Sequence, residues 1–182
     1  MRRLPRFFAI VFLLMVSTTL ADGPRDNDPK SVRPVPRPGV KPAGSGFLEL
    51  PAKLKDLRAR ILKASASKNP TIRALIPDVE IYYRAVHDAL TYNEFFSAAD
   101  VKKAGELLAT GVRRADDLAA GRAPWTRQTG LVVRGFVSKL DRTVQPYGLV
   151  IPASYDFDAS RRHRLDIWFH GRGETLSEVN FI

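Results

Sequence analysis

The sequence contains no cysteine. Disulfide staples and thiolate zinc sites are therefore excluded, and any folded part must hold together through its own apolar core. Histidine is nearly as scarce, with His87, His163 and His170 the only three. There is no H-E-x-x-H pair, no phosphate-binding glycine loop and no G-x-S-x-G elbow; "AGSGF" at 43–47 does not qualify. No apolar run is long enough to cross a bilayer as a helix. The formal charge is +10, but the basic residues are dispersed. Without a basic block carrying interleaved aromatics, zinc-finger spacing or a helix-turn-helix, that charge does not indicate nucleic acid as a partner.

What is present begins with an export signal. "MRRLPR" is a basic stretch, "FFAIVFLLMV" an apolar one, and "STTLADG" places small residues around Ala21. Residues 1–21 thus have the form of a secretory signal peptide, which implies a secreted, periplasmic or cell-envelope protein with no transmembrane span after cleavage. Loss of Arg2, Arg3 and Arg6 leaves a mature charge of about +7. Residues 22–46 hold six prolines and almost no large apolar side chain. Such composition cannot offset its ordering entropy and reads as a disordered, extended linker.

Residues 47–124 form a helical module. Pro51 suits a first helical turn, with Leu54, Leu57, Ile61 and Leu62 on one face. Val79, Tyr82, Tyr83, Val86 and Leu90 recur at helical spacing in the next segment. Ser97 with Asp100 three residues on has the form of a capping box. Val101, Ala104, Leu108, Val112, Ala115 and Leu118 follow as an apolar stripe, and Gly121 marks a C-terminal stop. Three antiparallel helices are expected. His87, beside Asp88, has no second ligand in sequence and reads as a surface or partly packed side chain.

From Trp125 onward the period falls to two. "LVVRGFVSK" puts Val133, Gly135 and Val137 on one face, and "QPYGLVIPAS" does the same with Tyr147, Leu149 and Ile151; "LDRTV" turns between them. An antiparallel hairpin is expected, then a polar loop, then a third core strand over "RLDIWFH". The fold class as given is α+β. The third strand runs into His170-Gly171-Arg172-Gly173. Glycines after a strand allow a sharp turn and close approach of a ligand, and the N–H groups of Gly171, Arg172 and Gly173 suit stabilisation of a developing oxyanion. In this reading His170 and Glu174 support the loop, Glu174 through Arg172 or as a cap at "SEVN".

"QPYGLVIPASY" followed by "HRLDIWFHGRGE" resembles the start of the catalytic domain in α/β-hydrolases of the prolyl oligopeptidase and secreted esterase group. The likeness covers about Gly130 to Ile182. It implies that 125–182 supplies the first strands of an incomplete α/β-hydrolase domain. It also implies that Gly171 and Arg172 match the oxyanion-hole loop, with Arg172 N–H as the donor, and that the activity is serine-type ester or peptide hydrolysis without a cofactor or metal. Ester or peptide substrates would be the partners of the longer protein. The triad is expected downstream of this sequence, so the chain by itself is expected to be inactive; His163, His170 and Asp166 do not make one. The alternative is a non-catalytic exported module that binds a partner or an envelope polymer.

Overall fold

Helix α1, Ser45–Ser65, starts well ahead of Pro51, which lies inside it rather than in its first turn. Leu48 N–H reaches Gly44 C=O at 3.3 Å, and Phe47 sets its ring edge-on to Phe95 at 5.8 Å. Burial of that aromatic at the core's rim draws the helix start upstream and outweighs the backbone bond Pro51 cannot make. The computed structural model describes Lys30, residues 38–158 and 162–169, Gly171, Gly173, Thr175 and residues 177–182. The chain divides into two units, Met1–Arg33 and Pro34–Ile182. The expected signal peptide lies outside the described residues, as does most of the expected linker. The end of that linker is bound: Gly39 N–H donates to Asn93 C=O at 3.1 Å and Val40 N–H to Phe95 C=O at 2.7 Å.

Four further helices follow: α2 Pro70–Leu75, α3 Pro77–Thr91, α4 Ala98–Ala119 and, after the sheet, α5 Glu178–Phe181. Helix α2 was not expected. Its signal is Asn69-Pro70, where the Asn69 side chain accepts the Thr71 N–H at 2.9 Å and Pro70 fills the first turn. At the start of α4, Asp100 takes the N–H groups of Ser97 (2.9 Å) and Phe96 (2.7 Å), the acidic half of the expected capping box. Gly121 ends the helix at φ 72°, its N–H on Leu118 C=O. The core takes Leu57 and Ile61 from α1, Val79, Tyr82 and Val86 from α3, and Ala104, Leu108, Ala115 and Leu118 from α4. Leu62, expected on the same face as Leu57, is 56 % exposed.

Helix α4 packs against both α1 and α3, and Gly111 permits it. A Cβ there would lie 2.7 Å from Leu57 Cδ2 and 2.9 Å from Tyr82 Cβ, whereas a Cβ at Gly105 would meet nothing within 4 Å. The same substitution should therefore have opposite signs on one helix. Gly105→Ala is expected to stabilise by roughly 0.5–1 kcal/mol through helix propensity. Gly111→Ala is expected to destabilise by about 1–3 kcal/mol, because the Tyr82 Cβ cannot rotate away. Urea midpoints of the two variants check this, and two shifts of the same sign would contradict it.

Strands β1 (Gly130–Val137) and β2 (Val144–Ile151) form an antiparallel sheet of two strands, entered through a 3₁₀ turn at Pro124–Arg127. The pairing sets Val133 opposite Gly148, Gly135 opposite Pro146 and Val137 opposite Val144. Tyr147, Leu149 and Ile151 therefore share the other face with Arg134, Val132 and Gly130, because residues directly opposite in a sheet point the same way. The hairpin rests on α3. Its contact is a buried polar hub. Asp78, 1 % exposed in the first turn of α3, accepts from Trp125 Nε1 (2.9 Å), Arg134 Nε (2.8 Å) and Gly135 N–H (2.7 Å). Arg114 Nη1 donates to Asp78 C=O at 3.0 Å and to Val133 C=O at 2.9 Å.

The expected third core strand is not formed. Residues 162–169 adopt neither strand nor helix, and Leu165, Ile167, Trp168 and Phe169 are 75, 71, 88 and 89 % exposed. The reason lies in the sheet edges. Gly135 N–H and Val133 C=O face away from β2, where a third strand would pair, and Asp78 and Arg114 already hold them. On the outer edge of β2, Arg84 Nη1 takes Val144 C=O at 3.0 Å and Pro146 has no N–H to offer. Alternation gives a segment two faces but does not supply a neighbour. The described architecture is thus α+β: helices with a two-stranded antiparallel sheet.

Candidate functional site

The expected oxyanion loop joins the exposed apolar segment to α5. His170, Arg172 and Glu174 lie outside the described residues. Gly171 and Gly173 are both exposed. A Cβ on Gly171 would meet nothing within 4 Å, and its φ is not left-handed. Neither crowding nor backbone strain demands glycine at that position.

Helix α5 fastens the far side of the loop to the helical body. Val179 is 2 % exposed and packs in the core beside α3 and α4. Lys103 Nζ donates to Asn180 Oδ1 at 2.6 Å. Ser177, which precedes the helix, is 5 % exposed. Gly173 and Thr175 line a groove of about 530 Å³ together with Phe96, Ser97, Asp100 and Asn180. Burial by itself would raise the Asp100 carboxyl, but the N–H groups of Phe96 and Ser97, with the side chains of Ser97 and Asn180, outweigh it and hold the group below the ordinary carboxylate range. Asp100 is thus an ionised acceptor committed to the start of α4. Its proximity to the loop could not be read from the sequence, because it depends on where α5 docks.

Glu178 has the opposite environment. Burial lifts its carboxyl above the ordinary glutamate range; Arg84 opposes the rise, while Asp88 and Glu94 add to it. The folded state therefore binds this proton more tightly than the unfolded chain does. The resulting stabilisation is present below the ordinary glutamate value and is lost as pH rises through the raised one. Glu178→Gln is expected to stabilise the protein at about pH 7 and to change it far less at about pH 4. Urea melts at both values test the sign, and a variant less stable than the parent at the higher pH would overturn it.

The remaining candidates are not brought together. His87 places Nδ1 2.9 Å from Asp88 Oδ1 and stacks on Tyr83 at 5.4 Å, as a partly packed surface side chain. His163 lies against Tyr155 at 4.7 Å, and Asp166 pairs with Arg164 at 2.8 Å. Among the described residues, neither His87 nor His163 hydrogen-bonds to a serine, and no group of three or more His, Asp or Glu is arranged to hold a metal ion. Among the described residues no helix is long and apolar enough to cross a membrane. Compared with protein-family models, with curated proteins and with solved structures, the chain finds no match, so what it does must be argued from its own residues.

Proposed function

We propose that this chain is the N-terminal part of an exported serine hydrolase acting on ester or peptide bonds, and that His170–Glu174 is one half of its oxyanion hole. The observation that carries the reading is the pairing of Gly171, where an added Cβ would meet nothing within 4 Å, with the exposed apolar row Leu165, Ile167, Trp168 and Phe169 just before it. Such a row is what a wider sheet would cover, and room beside a glycine's Cα is what lets a substrate carbonyl approach. The α/β-hydrolase likeness supplies the roles. Backbone N–H groups at Gly171, Arg172 and Gly173 hold the developing oxyanion, and a serine, an acid and a histidine encoded further along perform the displacement. The N-terminal pattern places the reaction outside the cytoplasm.

Two measurements test this. The 182-residue chain should neither turn over a short acyl ester nor take a serine-directed fluorophosphonate label, and robust serine-dependent turnover would refute the missing nucleophile. The coding DNA past Ile182 should continue in frame through G-x-S-x-G, an acid and a histidine. In that longer protein Arg172→Pro, which removes one N–H, should lower kcat about 10²–10³-fold with little change in KM. A kcat within a few-fold of the parent would remove this loop from the mechanism. The second reading, a non-catalytic exported module that binds a partner or envelope polymer, is favoured by the self-contained helical core. A monomeric chain that melts cooperatively, without an in-frame hydrolase continuation, would select it.

A further inference from the structure

Arg114 is held in a way that uses only part of it. Its residue exposure is 9 %, its Nη1 bonds two carbonyls, and its guanidinium lies 5.0 Å from the Tyr82 ring centre and 4.9 Å from that of Trp125. Two carbonyls and two rings fix both its plane and its direction. Among the described residues, Nε and Nη2 have no hydrogen-bond partner. The only fully enclosed side-chain nitrogen or oxygen without a partner there is Ser177 Oγ, so neither of these two nitrogens is fully enclosed. Arg114 lines a groove of about 680 Å³ between α4, the 3₁₀ turn and β1. Arg113, Thr110, Gln128 and Leu131 also line that groove.

Nε–H and Nη2–H form the side-on edge of a guanidinium, which presents two parallel donors to the two oxygens of a carboxylate. The local charge is not balanced. The Asp78 carboxylate bonds Arg134, while Arg114 reaches only the Asp78 backbone carbonyl, and the exposed Arg113 adds another cation at the groove wall, where its Nη2 meets Thr110 Oγ1 at 2.8 Å. Asp117, the acidic side chain of the lining, is already paired with Arg122 at 2.8 Å, and Ile182 also lines the groove. Burial pulls the Arg114 pKa down, with Tyr82 and Asp78 opposing and Arg134 assisting, and arginine remains a cation at any working pH. A groove of this size with an apolar wall and a small number of fixed polar groups is the usual form of a small-ligand site.

We infer that the groove between α4 and β1 is a carboxylate-binding site in which the side-on edge of Arg114 grips the two oxygens and Leu131 and Trp125 receive an apolar body. The ligand is a carboxylate on a small apolar acid or at the C-terminus of a short peptide. The site is separate from the loop at Gly171–Gly173.

The test uses the full chain with Trp168→Phe, which leaves Trp125, in contact with Arg114, as the one fluorescent indole. Titration with hexanoate, with hexan-1-ol, and with an apolar tripeptide as the free acid and as the C-terminal amide separates the sources. A saturable fluorescence change with hexanoate, or with the tripeptide acid alone, and none with the alcohol or the amide is the expected result. Which acid binds identifies the source. Arg114→Lys, which keeps the charge but loses the fork, should weaken binding about tenfold, and Arg113→Gln should weaken it less. Should Arg114→Lys fail to fold, the titration of the parent chain still decides. No saturable response to either acid, an equal response to the alcohol, or inorganic phosphate competing as well as the acid would overturn the assignment.

Discussion

Replacing Asp78 with alanine is expected to cost about 3–5 kcal/mol of stability. Three donors converge on that carboxylate in a water-excluded space: the Trp125 indole, the Arg134 guanidinium and the Gly135 amide. Alanine removes the acceptor and leaves all three donors behind. Arg134 loses its ion pair, and Arg114 loses the charge that balances its burial. An orphaned buried donor costs more than a hydrogen bond contributes, so the penalty exceeds any sum of bond strengths. Total stability is ordinarily only about 5–15 kcal/mol, which makes this a melting-temperature decrease of about 10 °C or more. Asp78→Asn keeps the shape but turns an amide donor toward other donors, and should lose most of the same energy. Urea and thermal melts measure both. A midpoint for Asp78→Ala within about 1 kcal/mol of the parent would mean that the hub does not fasten the hairpin.

The second large effect is expected at Gly135. A Cβ there would lie 2.1 Å from the carbonyl oxygen of Pro77, 2.5 Å from its carbon and 2.9 Å from Ile81 Cγ2. Two of those atoms are backbone in the first turn of α3 and cannot rotate aside. Gly135→Ala must therefore lift β1 from the helix. That movement also stretches the bond from Gly135 N–H to Asp78, so steric and polar losses add. Overpacking alone typically costs about 1–3 kcal/mol, and loss of the amide's acceptor adds about 1–3 kcal/mol. Gly148, opposite Val133 on the same sheet, is the control, since a Cβ there meets nothing within 4 Å. Its alanine variant should be close to neutral. Equal melting curves for the two variants would show that the close approach of β1 to α3 is not a constraint.

Local signals carried the helices and the hairpin. The caps at Asp100 and Gly121 act through bonds to residues close in sequence, so residue type and spacing suffice to place them; the Asn69 cap is equally local, though the helix it starts was not expected. Arg114 shows the other side. It sits next to Ala115 of the apolar stripe with no motif of its own, yet it is buried and holds the edge of a strand. Asp78 reads equally well as an ordinary acidic residue at a helix start. Neither role has a local signature, because their partners sit 19 to 57 positions away. The segment at 165–169 fails for the converse reason. Its alternation is sound, but a strand exists only where a second backbone presents free groups, and the nearest sheet edges are already capped.

The sequence alone determined the absence of disulfides, the helical period of 47–121, the two-residue period of the hairpin and the glycines after Phe169, since each follows from residue chemistry and spacing. Tertiary structure alone decided that Asp78 and Arg114 serve as the missing neighbour of β1, that α5 ties the loop to the core, and that a buried guanidinium, bonded through Nη1 alone among the described residues, lines a groove. The physical reason is that burial and hydrogen-bond saturation belong to pairs of distant residues, and only the packed chain determines which pairs meet.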